Sequence, residues 1–384
     1  MKFPKNLTDK LETRKQNNAL RQLPSATCNI DFASNDYLGF AKSETIFHQT
    51  HQFLIDNDYL ENGATGSRLL SGNHPLYAIT ENQIAKFHQA ESALIFNSGY
   101  DANVGFFSSV PQKGDFILYD ELCHASIRDG IRISSAKSYK YHHNDYEDLE
   151  RLLQFCHTEQ PTIIYIATES VFSMDGDAPN LEELTNLAEK HQAHLVIDEA
   201  HALGVFGNQG EGLIQSLQLQ DKIFARIMTF GKGLGCHGAA VLGSHQLKNY
   251  LVNFARSFIY TTGLSPHAIA TILIAYQYLQ TQNNETNQLR ANINSFNQQK
   301  MQLGLKPMFV QSKSAIQSAI IPGNEKVKAI ATQLQQNGFD VKPILSPTVP
   351  EGQERLRICL HSFNSEKEIT TLLSLLSTFV FEKQ

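Results

Sequence analysis

Lys232 stands between two glycines in the run Thr229-Phe-Gly-Lys-Gly233, with Phe230, Leu234 and Ala239 around it. Most lysines are solvated surface charges. One that is desolvated has a lowered pKa and becomes a good nucleophile toward an aldehyde. Asp198 ends the strongly apolar run His194-Leu-Val-Ile-Asp198. A carboxylate shielded from water is costly unless a cation or a strong donor meets it. An isolated Asp at a strand end would be read as a helix cap. Here Lys232 ends the next apolar run, and the two together suit a cofactor that joins an aldehyde to a protonatable pyridine nitrogen, pyridoxal phosphate (PLP). His201, three residues beyond Asp198, is placed to donate to the phenolic oxygen of such a cofactor. Asn97-Ser98-Gly99-Tyr100 follow an apolar run and open a helix, whose first backbone N–H groups suit a phosphate. His124 is of a type that stacks on an aromatic ring, although a lone histidine is more often simply packed or hydrogen-bonded.

These residues need elements that bring them together. Apolar runs at 92–96, 116–119, 162–168, 194–198, 223–229 and 239–243 read as strands, and helical stretches such as 181–191 lie between most of them. Strands alternating with helices imply a largely parallel sheet covered on both faces, with ligands at the carboxyl ends of the strands. The candidate residues fall at those ends, in 97–99, 121–124, 169–175, 198–201 and 229–232. Residues 7–23 read as a polar helix followed by Pro24, and 30–33 as a short strand. After a long helix from Pro266 to about residue 282, strands at 314–321 and 355–360 indicate a second, smaller α/β unit. The expected division is an arm over 1–40, a large domain over 41–280 and a small domain over 281–384.

Several motifs exclude other functions. Gly233-Leu-Gly235-Cys-His-Gly238 matches G-x-G-x-x-G, but a strand-like run follows it, and no acid occurs between Asp221 and Glu285 to hold a ribose. Its glycines are better read as letting the backbone pass close to a group bound near Lys232. Asp198-Glu-Ala-His201 spells a helicase box, yet the phosphate loop G-x-x-x-x-G-K-[ST] is missing. There is no G-x-S-x-G and no H-E-x-x-H, so neither a hydrolase nucleophile elbow nor a zinc site is expected. The 384 residues carry a net charge of −6, which gives no general reason to expect nucleic acid or acidic membranes as partners. The first 23 residues lack the apolar core of a signal peptide, and no apolar run approaches the ~18 residues of a membrane span. Five scattered cysteines without a Cys-x-x-Cys pair fit reduced thiols in a cytoplasm.

The motifs together resemble the α-oxoamine synthases, which are fold-type I PLP enzymes. The resemblance rests on Ser34-Asn-Asp-Tyr-Leu-Gly39, Gly66-Ser-Arg-Leu-Leu70, His124-Ala-Ser126, Thr168-Glu-Ser-Val-Phe-Ser-Met-Asp-Gly-Asp177, Asp198-Glu-Ala-His201, Thr229-Phe-Gly-Lys-Gly233 and Pro347-Thr-Val-Pro350, in family order. It implies a large, mainly parallel seven-stranded sheet domain with a smaller C-terminal α/β domain. It implies Lys232 as the Schiff-base lysine and acid/base, Asp198 on the pyridine nitrogen, His201 and Ser173 on the phenolic oxygen, and His124 stacked on the ring. Gly99, Tyr100 and Thr229 would hold the phosphate. Arg21, Asn35, Thr348 and Arg357 would bind substrate, with Arg357 facing an amino-acid carboxylate, and Glu169 would be an active-site neighbour. The implied reaction is decarboxylative condensation of L-alanine with a pimeloyl thioester carried by acyl carrier protein or coenzyme A. The implied assembly is a homodimer in which Thr261 or Thr262 reaches the partner's phosphate. Departures at Gly63-Ala-Thr-Gly-Ser67, His237 and Leu345-Ser346 touch the substrate side. They leave open another activity of the family, such as glycine with acetyl-CoA, and a chain of this fold that only binds is a further alternative.

Overall fold

The computed structural model describes residues 3–21, 23, 29–159 and 161–381; Pro24 and Cys28 lie outside them. Twelve strands occur among the described residues: β1 (Ile30–Asp31), β2 (Ser92–Phe96), β3 (Phe116–Asp120), β4 (Lys137–Tyr141), β5 (Ile164–Glu169), β6 (His194–Asp198), β7 (Ala225–Thr229), β8 (Ala239–Gly243), β9 (Ile316–Ile320), β10 (Phe339–Asp340), β11 (Lys342–Ile344) and β12 (Arg355–Cys359). The chain divides into two compact units. One holds residues 35–173 and 177–289; the other holds 174–176, the described residues up to Ser34 and those from Arg290 onward.

The larger unit is built on a seven-stranded sheet in the order β2-β8-β7-β6-β5-β3-β4. Strands β4, β3, β5, β6 and β7 run parallel, and β8 is antiparallel to both β7 and β2. Side chains alternate across a strand, so each apolar run supplies both faces. In β6, Val196 joins a core with Phe106, Phe107 and Ile127, while Leu195 and Ile197 join one with Leu149, Leu153 and Leu184 on the opposite face. In β3, Ile117 belongs to the first core and Phe116 and Leu118 to the second. Double coverage leaves the edge at the carboxyl ends of the strands as the place where polar residues can gather.

Two local expectations change. Strand β4 (Lys-Ser-Tyr-Lys-Tyr) is absent from the apolar runs because it is the sheet's edge, paired only with β3, and of its residues only Tyr141 is buried. The N-terminal helix spans Lys5–Gln16 rather than 7–23; its end is set by Asn18 in the left-handed region (φ 51) and by Ala19 N–H donating to Arg14 O at 2.8 Å.

The smaller unit carries an antiparallel three-stranded sheet, β11-β12-β9, and the two-stranded parallel pair β1-β10. Helices Asn324–Gln336 and Glu366–Phe381 bury Val327, Ile330, Ile369 and Leu372.

Candidate active site

Five strand ends of the large sheet supply the site. Asp198 is the last residue of β6, and its Cα pairs in register with that of Glu169, the last of β5. Asp198 is buried; its Oδ1 accepts the Ala200 N–H at 2.9 Å and its Oδ2 accepts Asn103 Nδ2–H at 2.7 Å. Among the described residues no cation lies within ion-pair distance of this buried carboxylate. Asn103 lies on the helix Gly99–Ser109 and is buried. Its second amide hydrogen goes to Ser126 Oγ at 3.0 Å, and Ser126 Oγ is 2.7 Å from His124 Nδ1. Donation from Ser126 to Nδ1 makes the imidazole a neutral ring with its proton on Nε2. His124 is accessible to solvent as a residue, yet the protein packed about its ring desolvates it; that effect lowers its pKa, Asp198 opposes it and Lys232 reinforces it.

Glu169 accepts the His124 backbone N–H at 2.6 Å and is buried. Desolvation, then repulsion from Asp198, push its pKa above the usual carboxylate range, while Lys232 pulls the other way. One of the two adjacent acids therefore holds a proton more readily, the arrangement expected of like charges in a shared site.

Lys232 sits in the connection between β7 and β8, where Phe230 N–H donates to Gly238 O at 2.9 Å and Cys236 N–H to Phe230 O at 2.9 Å. Its Nζ is 2.8 Å from His201 Nε2, and His201 Nδ1 is 2.6 Å from the Tyr37 hydroxyl. Tyr37 in turn donates to Asn35 Oδ1 at 3.2 Å. With Lys232 as an ammonium donating to Nε2, the imidazole proton lies on Nδ1 and faces Tyr37. Gly233 and Gly235 meet the protein's own backbone closely. A Cβ on Gly233 would lie 2.3 Å from Leu203 O, and one on Gly235 (φ +59) 2.1 Å from Ala41 N.

At the start of the helix Gly99–Ser109, Ser98 Oγ accepts the Asp101 N–H at 3.0 Å and Ser98 O accepts that of Ala102 at 3.0 Å. The Gly99 and Tyr100 amides remain outside both bonds. Thr229, the last residue of β7, presses on this start: a Cβ on Gly99 would lie 2.4 Å from Thr229 Oγ1. Two backbone donors and a hydroxyl thus share a cradle that only glycine leaves open, as an anion requires. The Tyr100 side chain is exposed and donates to Asp129 Oδ2 at 2.8 Å. Ser173 is half-buried in the turn after β5.

The structure brings Lys232, His201, Asp198, His124, Glu169, Gly99, Thr229 and Asn35 to one edge of the larger unit. Arg21, Thr348 and Arg357 belong to the smaller unit. Arg21 and Thr348 are exposed; Arg357 is buried in β12, with its Nη1 2.9 Å from Cys359 Sγ. Sequence reasoning missed Asn103, Ser126 and Tyr37 as site residues. Ser126 and Tyr37 lie inside quoted motifs. The only signal for Asn103 is its position four residues beyond Gly99, one turn along a helix that starts in the site.

Comparison with known proteins agrees with this geometry. The family "Aminotransferase class I and II" matches residues 28–376. The chain belongs to this family. The 8-amino-7-oxononanoate synthase of Emericella nidulans is 39% identical, the match covering 98% of this chain and 94% of that one. A solved structure of 8-amino-7-oxononanoate synthase from Francisella tularensis is 30% identical, with a TM-score of 0.78 over 92% of this chain and 98% of its own. A serine palmitoyltransferase of S. paucimobilis, solved with a bound PLP–myriocin aldimine, is 25% identical, with a TM-score of 0.86 over 98% and 96% of the two chains. The α-oxoamine synthase resemblance and the fold-type I architecture read from the motifs are both borne out.

Proposed function

We propose that this chain is a PLP-dependent acyltransferase that condenses L-alanine with a pimeloyl thioester to give 8-amino-7-oxononanoate, carbon dioxide and a free thiol, a step of biotin biosynthesis. The observation that carries the reading is the pair at the strand ends. A buried carboxylate without an ion pair, Asp198, and a half-buried lysine on a histidine, Lys232, share one edge with an anion cradle at Gly99. That donor set fits pyridoxal phosphate, which supplies an aldehyde carbon for Lys232 and a ring that takes up the electron pair of a deprotonated amino-acid α-carbon.

The protein's own groups then have defined tasks. Asp198, held in its orientation by Asn103 and the Ala200 amide, would keep a proton on the pyridine nitrogen. His201 and Ser173 would hold the phenolic oxygen, His201 through Nε2 once its proton lies there with the Tyr37 hydroxyl facing Nδ1. His124 stacks as a neutral ring held by Ser126. The amides of Gly99 and Tyr100, with Thr229, take the phosphate. Lys232 Nζ would remove the α-proton of the bound alanine and later return one. The α-carbon attacks the thioester carbonyl, the thiol leaves, and the alanine carboxyl departs as carbon dioxide. By the resemblance alone, Arg357 would take the substrate carboxylate as a bidentate donor, and Arg21, Asn35 and Thr348 would be substrate residues.

Homologues named for this activity across nearly the whole chain support the substrates. The exposed side chains Phe47, Ile55, Leu60, Leu70 and Tyr260 support a homodimer; by the resemblance alone, Thr261 or Thr262 would reach the partner's phosphate. A cytoplasmic location fits the absence, among the described residues, of a helix long and apolar enough to cross a membrane. Lys5, Lys10, Arg14 and Lys15 lie, with Asp9 and Glu12, on a helix without a buried residue and are open to an acidic carrier protein. The test is turnover of L-alanine, glycine and L-serine, each with pimeloyl, acetyl and palmitoyl thioesters. Alanine with the pimeloyl donor should dominate; glycine with acetyl-CoA alone, or serine with the palmitoyl donor alone, would overturn the assignment.

A further inference from the structure

His143 lies outside every motif considered above, in the turn that follows β4. Its ring stands between two carboxylates. Nδ1 is 2.9 and 3.1 Å from the two oxygens of Asp120, and Nε2 is 2.8 Å from Asp177 Oδ2. An ionised carboxylate only accepts; with both acids ionised each ring nitrogen donates, Nε2 to Asp177 at 2.8 Å rather than toward Asn144 Nδ2 at 3.1 Å, and the ring is a doubly protonated imidazolium. Burial alone would lower the pKa of this half-buried ring; the hydrogen bonds it donates to Asp120 and Asp177 overcome it and raise the value to about 10. Glu121 Oε1 also faces the turn, accepting the His143 N–H at 3.3 Å. Asn144 reinforces the arrangement, giving its backbone N–H to Asp120 at 3.0 Å and its Nδ2–H to Asp177 at 3.0 Å.

Both carboxylates belong to segments that carry site residues. Asp120 ends β3, accepts the Leu122 N–H at 2.8 Å through Oδ1, and receives the Cys123 N–H on its carbonyl at 3.0 Å, which shapes the turn delivering His124. Asp177 accepts the Phe172 N–H on its carbonyl at 2.9 Å, next to Ser173, and the Phe172 ring meets the His143 ring edge-on at 4.4 Å. We propose that His143 is a positioning residue, a charged bridge whose two N–H bonds to Asp120 and Asp177 set the segments carrying His124 and Ser173 against the cofactor. This rests on the PLP reading above. A neutral ring could hold only one segment, and the other would lose its registration. Displacements of about 1 Å at a reacting centre lower rates by roughly 100-fold.

The test uses the full chain labelled with ring-15N histidine. At pH 8, one histidine should show both ring nitrogens protonated, and that signal should vanish in His143→Gln. His143→Gln should also release PLP about 10-fold faster and lose kcat more than KM, with the circular-dichroism spectrum of the wild type. If His143→Gln does not fold, Asp177→Asn, which keeps the Asp120 bond, should show the same changes at smaller size. A neutral His143 at pH 8 overturns the charged bridge; unchanged PLP release and kcat in the folded variant overturn the positioning role. The nitrogen signals do not depend on the substrates used, so failure of the bridge and failure of the proposed reaction are distinguishable.

Discussion

Asp198 and Glu199 are neighbours in sequence, both buried, and they do opposite things. Glu199 is met by the protein itself: Oε1 accepts the N–H groups of Leu213 at 2.8 Å and Ile214 at 3.0 Å, and Oε2 lies 3.8 Å from Arg226 Nη1. Burial raises its pKa, and the Arg226 guanidinium and the two amides pull it back. Arg226 is itself buried and donates to the carbonyl of His88. Asp198 receives only a side-chain amide and one backbone N–H, with no cation of the described protein beside it. The alternation of side chains across the sheet separates the two. A buried acid whose charge is matched internally is a fold element, and one whose charge is left open to a cleft is a ligand site.

The contrast can be broken at graded cost. Lys232→Ala should abolish turnover, a loss of about 10⁴-fold or more, with little change in thermal midpoint, measured by product formation and calorimetry. Asp198→Asn keeps the shape and removes the charge; kcat should fall by about 10²- to 10⁴-fold while the fold persists. Glu199→Gln should do the reverse: about 3 kcal/mol less stability in denaturant unfolding, because Arg226 is left buried without its acid, and nearly unchanged kcat in the folded fraction. If the two variants behaved alike, the distinction between them would collapse. Asn103→Ala should lower kcat about 10-fold by releasing Asp198 and Ser126 together, with Tyr37→Phe weaker still.

The last test is a pH dependence. His143 has its pKa raised from 6.5 to about 10 on folding, so its bridge contributes full stability below about pH 6.5 and loses it as pH rises through about 10. The difference in unfolding free energy between cofactor-free wild type and His143→Gln should therefore shrink steadily across that window. A difference that stayed constant would show that the ring's charge plays no part.

Much of the arrangement was legible because parallel strands declare themselves as apolar runs and must end on one edge. The strand ends at Asp198, Thr229 and Phe96 agree with the sequence reading. The fold class also followed from the motifs. What escaped were features whose signal is not apolar. Strand β4 faces solvent along most of its length, so nothing in its composition marks it. Asn103 is a polar residue inside a helix and carries no motif, and its role appears only when Asp198 is brought within 2.7 Å across 95 positions. His143 is hidden for the same reason, since its partners lie 23 and 34 residues away. The G-x-G-x-x-G match leads into strand β8 rather than a helix, and the tight contacts that require Gly233 and Gly235 are to Leu203 and Ala41, which no local spacing reveals.

The central claim is that Lys232 carries pyridoxal phosphate, and borohydride reduction tests it most directly. The protein incubated with PLP, reduced and digested should yield one peptide bearing the added mass of a reduced pyridoxyl phosphate, with fragmentation placing it on Lys232. Label on a different lysine, or none after saturation with PLP, would contradict the account.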